Sequence, residues 1–370
     1  MSAWSESEAL HERVRAMIRA YERRARSPES FDAIAADLAR FQAANVPGYG
    51  RLCAAHGVEP SKIDLARQAP AVPTDAFRLA DVFAFDPSAA TATFRTSGTT
   101  LGARGVHRIR DVGTYDAASI AFGRAMLVPD LARPAAVLVV GPSPADVQDS
   151  SLAHMCGLFA RTFAEPQREE DTFFVRGGAP DIAGLRKRVA GLSPSSPAIV
   201  LATSFALVHV VDALQGEVLA LPSRSRVMQT GGFKGRSREV DRDELEAATA
   251  RTFAIDRRSV VGEYGMTELS SQFWEAPPTS EDETRSYFEP PWARVVAVDG
   301  RTLEPLADGE VGIARIEDLA NVDSAFAVVT QDRVRRRGAG FELLGRVPGS
   351  LPRGCSIALE EMLAAPRDGE

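Results

Sequence analysis

The chain has 370 residues, 45% hydrophobic and 25% charged, enough to bury a sizeable core as one large domain or as two to three packed subdomains. Its net charge of -7 is spread among interspersed acidic and basic residues, which leaves no nucleic-acid arm and disfavours polyanionic partners. The longest apolar run, around Val137 to Val140, is far too short for a membrane span. The N-terminus lacks the layout of a secretory signal, so a cytoplasmic location without membrane partners is expected.

Two helices open the chain. Leu10, Val14, Met17, Ile18 and Tyr21 recur at helical spacing, and so do Phe31, Ile34, Leu38 and Phe41. From about Ala135 short apolar strands alternate with helices. Residues 136–141 and 198–202 read as strands buried on both faces, and 226–229 as a shorter one, the pattern of a parallel sheet covered by helices. Asp241 followed by Glu244 predicts a helix start with a reciprocal cap, with Leu245, Ala248 and Phe253 on the apolar face. After Pro290, residues 294–298, 312–316 and 326–330 read as strands separated by turns. The organisation expected is a helical segment over 1–90, an α/β core over 91–290, a β-rich subdomain over 291–345 and a short remnant over 346–370 that frays after Leu363. Cys53, Cys156 and Cys355 lie far apart with no CxxC spacing, which argues against a disulfide framework or a zinc site.

The most informative short stretch is the loop Thr96, Ser97, Gly98, Thr99, Thr100, Leu101, Gly102, Ala103, Arg104, Gly105. Glycines let backbone N–H groups approach phosphate oxygens, hydroxyls add donors and Arg104 balances charge. It is not a Walker A loop, and composition alone also fits an ordinary surface turn. Four further segments follow it. Thr230 to Gly235 comes after a strand, where ligand crevices form. Gly262 to Glu268 combines Tyr264, Thr267 and Glu268, an aromatic for stacking, a hydroxyl for phosphate and a carboxylate for magnesium. Asp332 follows a strand, and Gly345-Arg346 lies fourteen residues on; the pair suits ribose hydroxyls, or equally a structural ion pair.

In this order the segments resemble the adenylate-forming superfamily of acyl and aryl ligases, and in particular the acyl-protein synthetase family of bacterial bioluminescence. Residues 150–155, 202–209 and 353–356 are similar to that family as well, so the resemblance covers about Thr96 to Glu361. It implies the large α/β N-terminal domain of adenylate-forming enzymes, with ATP and magnesium as cofactors. By the resemblance Ser97, Gly98, Thr99 and Thr100 cradle phosphates, Gly231 and Gly232 line the adenine pocket, and Tyr264 with Gly265 flanks the base. Thr267 meets the α-phosphate, Glu268 holds magnesium, and Asp332 and Arg346 bind ribose. His209 and Phe205 face the acid, and His154 lies on another family-like segment; on residue type alone both histidines are helix-packing residues. Leu101 and Arg104 stand where the family usually has Gly and Lys; Arg keeps the charge with a different geometry.

Superfamily ligases normally continue for about a hundred residues past the Gly-Arg motif, a small domain's length, and that part carries a catalytic lysine. Here 24 residues follow Arg346 and none is Lys, so a truncated C-terminal domain is expected. On residue type alone Cys355 reads as a small buried hydrophobe on an edge strand. The resemblance implies instead an acyl-accepting thiol whose ionised form Arg353 favours. The activity so implied forms an acyl-adenylate, moves the acyl group to Cys355 and delivers it to a partner acyl reductase. Loading of a coenzyme A or carrier-protein thiol, or a non-catalytic adenylate-binding role, are the alternatives. The acid itself, fatty as in light emission or aryl or polyketide as in secondary metabolism, is left open, as is the oligomeric state.

Overall fold

The computed structural model describes residues 2–97, 103–131, 136–231, 240–280, 284–349 and 352–364. The chain begins with helices α1 (Ala3–Glu22), α2 (Phe31–Asn45) and α3 (Tyr49–Ala55), strand β1 (Val72–Pro73), helix α4 (Ala76–Leu79) and strands β2 (Ala92–Arg95) and β3 (Val106–Ile109). It continues through α5 (Val112–Leu127), β4 (Ala136–Val140), α6 (Ser151–Phe163), β5 (Val175–Arg176), β6 (Ala179–Pro180) and α7 (Ile182–Ala190). Next come β7 (Ala198–Thr203), α8 (Ser204–Leu214), β8 (Arg226–Thr230), α9 (Arg242–Phe253), β9 (Val260–Tyr264) and β10 (Phe273–Glu275). Strands β11 (Tyr287–Phe288), β12 (Ala293–Val298), β13 (Val311–Asp318), β14 (Ala327–Arg337) and β15 (Gly340–Arg346) lead to helix α10 (Arg353–Leu363). The frayed end expected after Leu363 lies almost wholly outside the described residues.

Packing divides the chain into two compact units, one made of 1–121, 266–271 and 288–370, the other of 122–265 and 272–287. The sequence suggested consecutive segments; packing gathers stretches far apart in the chain.

In the first unit, α1 and α2 form where the apolar spacing places them, each started by a serine. Ser2 accepts from the Ser5 N–H and Ser30 from the Ala33 N–H, which satisfies donors that the first turn leaves open. Leu10, Val14, Met17, Ile18, Phe31, Ile34, Leu38 and Phe41 are all buried, at about 1.5–3 kcal/mol for each large side chain. Strands β12, β13, β14 and β15 form an antiparallel sheet in that order, with β1 parallel to β14. Gln42 of α2 reaches this sheet's connecting loop, donating to the Asn321 and Val322 carbonyls and accepting from the Phe326 N–H. The β2–β3 hairpin pairs Arg95 with Val106 and packs Phe94, Ile109 and Tyr115 together.

The second unit is built on parallel strands β4, β7, β8 and β9, with β10 antiparallel on β9. Val137 to Val140 and Ala198 to Ala202 are buried throughout, the double-sided burial that their unbroken apolar runs predict. Leu207, Val210 and Leu214 of α8, Leu245 and Phe253 of α9, and Leu185 of α7 cover Leu138, Val200 and Val227. Asp241 caps α9, accepting from the N–H groups of Asp243 and Glu244. No helix among the described residues is long and apolar enough to cross a membrane.

Candidate active site

The phosphate loop joins β2 to β3. Thr96 and Gly105 close its neck: the Thr96 N–H donates to the Gly105 carbonyl at 2.9 Å, and the Gly105 N–H donates to the Thr96 hydroxyl at 2.9 Å. Arg104 folds onto this neck, its Nε donating to the Thr96 carbonyl at 2.5 Å and Nη2 to the Arg95 carbonyl at 3.2 Å. Arg78 of α4 donates to the Ala103 carbonyl at 3.0 Å. Two cations therefore brace one loop, with Ser97 at its base. Gly98, Thr99, Thr100, Leu101 and Gly102 lie outside the described residues.

Thr267 and Glu268 belong to the 266–271 stretch of the same unit. His107 of β3 donates from Nδ1 to the Thr267 carbonyl at 2.8 Å, and its Nε2 faces the Ser324 hydroxyl at 3.0 Å. Burial pushes the His107 imidazole down to about 4, against the opposing bond to Thr267, so the ring is neutral near pH 7. Asn321 donates to the Glu268 carbonyl at 2.8 Å, and Asp318 accepts from the Ser270 and Ser271 N–H groups at 2.9 and 2.8 Å. The backbone carrying Thr267 and Glu268 is thus pinned at four successive or nearly successive residues. Among the described residues no group of three or more His, Cys, Asp or Glu gathers for a metal ion. A single carboxylate such as Glu268 nevertheless suits magnesium, which takes few protein ligands and completes its shell with phosphate oxygens and water.

Asp332 and Arg346 stand opposite each other on β14 and β15, joined by a 3.2 Å Nε–Oδ1 contact. The Arg346 side chain is 68% exposed and Asp332 13%, so the pair itself contributes only about 0–1 kcal/mol. That leaves the Arg346 guanidinium accessible to ligand hydroxyls. Cys355 lies near the start of α10, not on an edge strand, and is 1% exposed. The expectation that Arg353 favours its thiolate is overturned. Burial, reinforced by the negative charge of Asp75, pushes the thiol up to about 11.

The remaining expected residues lie in the second unit. Tyr264 ends β9, buried, with its ring 5.9 Å from Phe273 and 6.1 Å from Tyr287. At Gly265 a Cβ would come within 2.6 Å of Glu263 Oε1, so any larger residue there would displace the Glu263 carboxyl. Gly231 follows β8 with φ at +69° and nothing within 4 Å of where a Cβ would sit, an open backbone suited to close ligand approach. Its carbonyl accepts from the Ser204 hydroxyl at 2.7 Å. Gly232 lies outside the described residues.

A cleft of about 940 Å³ opens at the carboxyl ends of β4, β7 and β8, walled by Val140, Leu201, Ala206, Met228, Ala153 and Cys156. This is where open α/β sheets bind ligands. Phe205 lines it, while His209 is exposed on α8 with its ring edge-on to Phe205 at 4.5 Å, and His154 sits partly buried on α6. Arg168, Glu169, Glu170 and Arg176 make its mouth polar, together with the Gly177-Gly178 turn of the β5–β6 hairpin. Below Tyr264, burial pushes the Glu263 carboxyl up to about 7, against a short hydrogen bond from the Thr230 hydroxyl. Sequence reasoning missed Glu263, although it stands inside the Gly262 to Glu268 motif. It missed His107 as well, whose only sequence signal is a histidine in an alternating strand just after the loop.

The fold is that of adenylate-forming ligases. One solved structure, 2-hydroxyisobutyryl-CoA ligase in an open conformation with 2-HIB-AMP and CoA, superposes with a TM-score of 0.63 at 13% identity, covering 86% of this chain and 70% of that one. The same ligase in its thioesterification state covers 94% of this chain and 68% of its own, with a TM-score of 0.59 at 14% identity. A family model described as acyl-protein synthetase, LuxE, matches residues 31–364, and the chain belongs to that family. Two relatives named long-chain-fatty-acid–luciferin-component ligase match locally. The Aliivibrio fischeri protein is 25% identical over 151 residues, and the Vibrio harveyi protein 28% identical over 152. These matches span 38% and 39% of the relatives' own lengths.

Proposed function

We propose that the protein uses ATP to convert a carboxylic acid into an acyl-adenylate and then transfers the acyl group to a thiol. The observation that carries this reading is the large apolar cleft at the strand ends, in a chain of the acyl-protein synthetase family. In the first step an oxygen of the ionised acid attacks the ATP α-phosphorus; a P–O bond forms, the α–β bridging bond breaks and pyrophosphate leaves. No general base is needed, so the protein's task is positioning and charge neutralisation. Ser97, Thr99, Thr100 and Arg104 would receive the phosphates, Tyr264 and the Gly231-Gly232 backbone the adenine, Thr267 the α-phosphate, and Asp332 and Arg346 the ribose. Bound magnesium, held by Glu268, would neutralise phosphate charge. The acyl part would occupy the cleft beside Phe205, with His209 and His154 near its helices.

In the second step a thiolate attacks the acyl carbonyl, a C–S bond forms, and AMP departs. Cys355 as acceptor, with a partner acyl reductase downstream, is the reading that membership of the family supports, together with the relatives named as ligases of a luciferin component. Its burial favours a second reading, in which an external thiol of coenzyme A or a carrier protein accepts the acyl group. Pyrophosphate exchange across fatty, aryl and small acids tests the first step, and no exchange with any acid would sink it. Intact-mass spectrometry tests the second: loss of the acyl adduct in Cys355→Ser supports the internal acceptor, and an unchanged adduct excludes it.

A further inference from the structure

His107 is tied to no role by the motifs, yet its side chain links the phosphate hairpin to the Thr267–Glu268 stretch. It is 2% exposed, its ring meets Phe77 edge-on at 5.5 Å, and the space left beside it, walled by Asp323, Ser324 and Ser270, is about 10 Å³. That is room for one water at most, so the ring has no second seat. A carbonyl oxygen only accepts, so Nδ1, facing Thr267, must carry the proton, and Nε2 then accepts from the Ser324 hydroxyl. Every polar atom of the ring is satisfied in one tautomer. Its backbone belongs to β3, whose partner β2 leads directly into Ser97.

We propose that His107 is a positioning residue: it fixes the Thr267 carbonyl, and through it the Thr267–Glu268 backbone, at a set distance from the hairpin that bears Ser97 and Arg104. For its effect on catalysis the inference rests on the acid activation proposed above; for the geometry it does not. A neutral imidazole suits the task because burial disfavours the charged form that would place a second donor in the core.

The test compares His107→Leu, which removes both bonds, with His107→Asn, whose amide N–H replaces the Nδ1 donor. Both shrink a buried ring, so both lose thermal stability. The rate loss should be large only in Leu: pyrophosphate exchange falls about 10²-fold in kcat, the effect expected of roughly 1 Å of misplacement, while Asn stays within about tenfold of wild type. Hydrogen exchange over residues 266–271 should speed up in Leu and return toward wild type in Asn, with α9 unchanged in both. A folded Leu variant with wild-type kcat and unaltered exchange at 266–271 overturns the proposal, and so does an Asn variant that matches Leu in both readouts. Should Leu fail to fold, Asn against Ser324→Ala decides. A kcat within about tenfold of wild type in both variants supports the proposal, and a loss of about 10²-fold in Asn, which keeps the donor to Thr267, refutes it. A wild type that exchanges no pyrophosphate sinks the activation reading, and hydrogen exchange still judges His107.

Discussion

Two titratable side chains stand in environments that reverse their ordinary behaviour. Glu263 holds its proton up to about pH 7 in the fold, whereas an unburied glutamate loses it near 4.5. Between those values the folded chain binds more protons than the unfolded one, so stability falls as pH rises through that window and levels off above it. Glu263→Gln removes this dependence, and its stability relative to wild type should improve by about 2 kcal/mol from pH 5 to pH 8. Urea midpoints at the two pH values measure it, and equal differences would show that the carboxyl is not held protonated. Cys355 gives a different signature. With its thiol near 11, the thiolate fraction in this buried position grows about tenfold per pH unit through neutrality. If it accepts the acyl group from this position, single-turnover acylation should rise with that slope to beyond pH 9. A rate flat between pH 7 and 9 would mean that the reacting thiol sits elsewhere than in this buried seat.

At the scale of elements, the end of β9 rests on a buried charge cluster. Glu275 of β10 accepts from the Gly262 N–H at 2.7 Å and pairs with Arg285 at 2.9 Å and with Arg242, while Glu246 of α9 pairs with Arg285 at 2.5 Å. Each carboxylate keeps a second cation when Arg285 is removed, Glu275 with Arg242 and Glu246 with Arg257 at 3.1 Å. Arg285→Ala should therefore cost about 1.5–3 kcal/mol, the worth of hydrogen bonds to charged groups, read from denaturant unfolding, and a loss above about 5 kcal/mol would mean that the remaining cations do not compensate. None of this cluster was legible in the sequence, since its members are scattered over α9, β10 and a turn. Helices α1 and α2 were legible because their apolar residues repeat at 3.6, and β4 and β7 because both faces are buried. Strands β2 and β3 were not, being four residues each around a polar loop. The same split holds in the candidate site. The loop, Tyr264, Glu268, Asp332 and Arg346 are proposed from local patterns, whereas His107 is proposed from a contact 160 positions away, which no window of sequence contains.

For the whole molecule, the chain passes between the two units at 121/122, 265/266, 271/272 and 287/288. The first unit therefore needs three separate stretches, and its sheet, β12 to β15, comes from the last of them. The second is nearly continuous. A fragment of residues 122–287 contains the whole parallel sheet with its covering helices and should unfold cooperatively on its own, whereas 1–121 alone should not. Circular dichroism melts of the two fragments test this, and a sharp transition in 1–121 would show that its helices and hairpin suffice for a core.

The three cysteines share one circumstance. Each is buried, and burial leads the causes that push each thiol upward, Cys53 and Cys355 to about 11. At pH 7 a thiol of that kind is ionised in about one molecule in ten thousand. Air oxidation and alkylation both proceed through the thiolate. Purified protein should therefore keep in aerated buffer without added reductant, and iodoacetamide should leave it intact until heat, denaturant or turnover brings a sulfur to the surface.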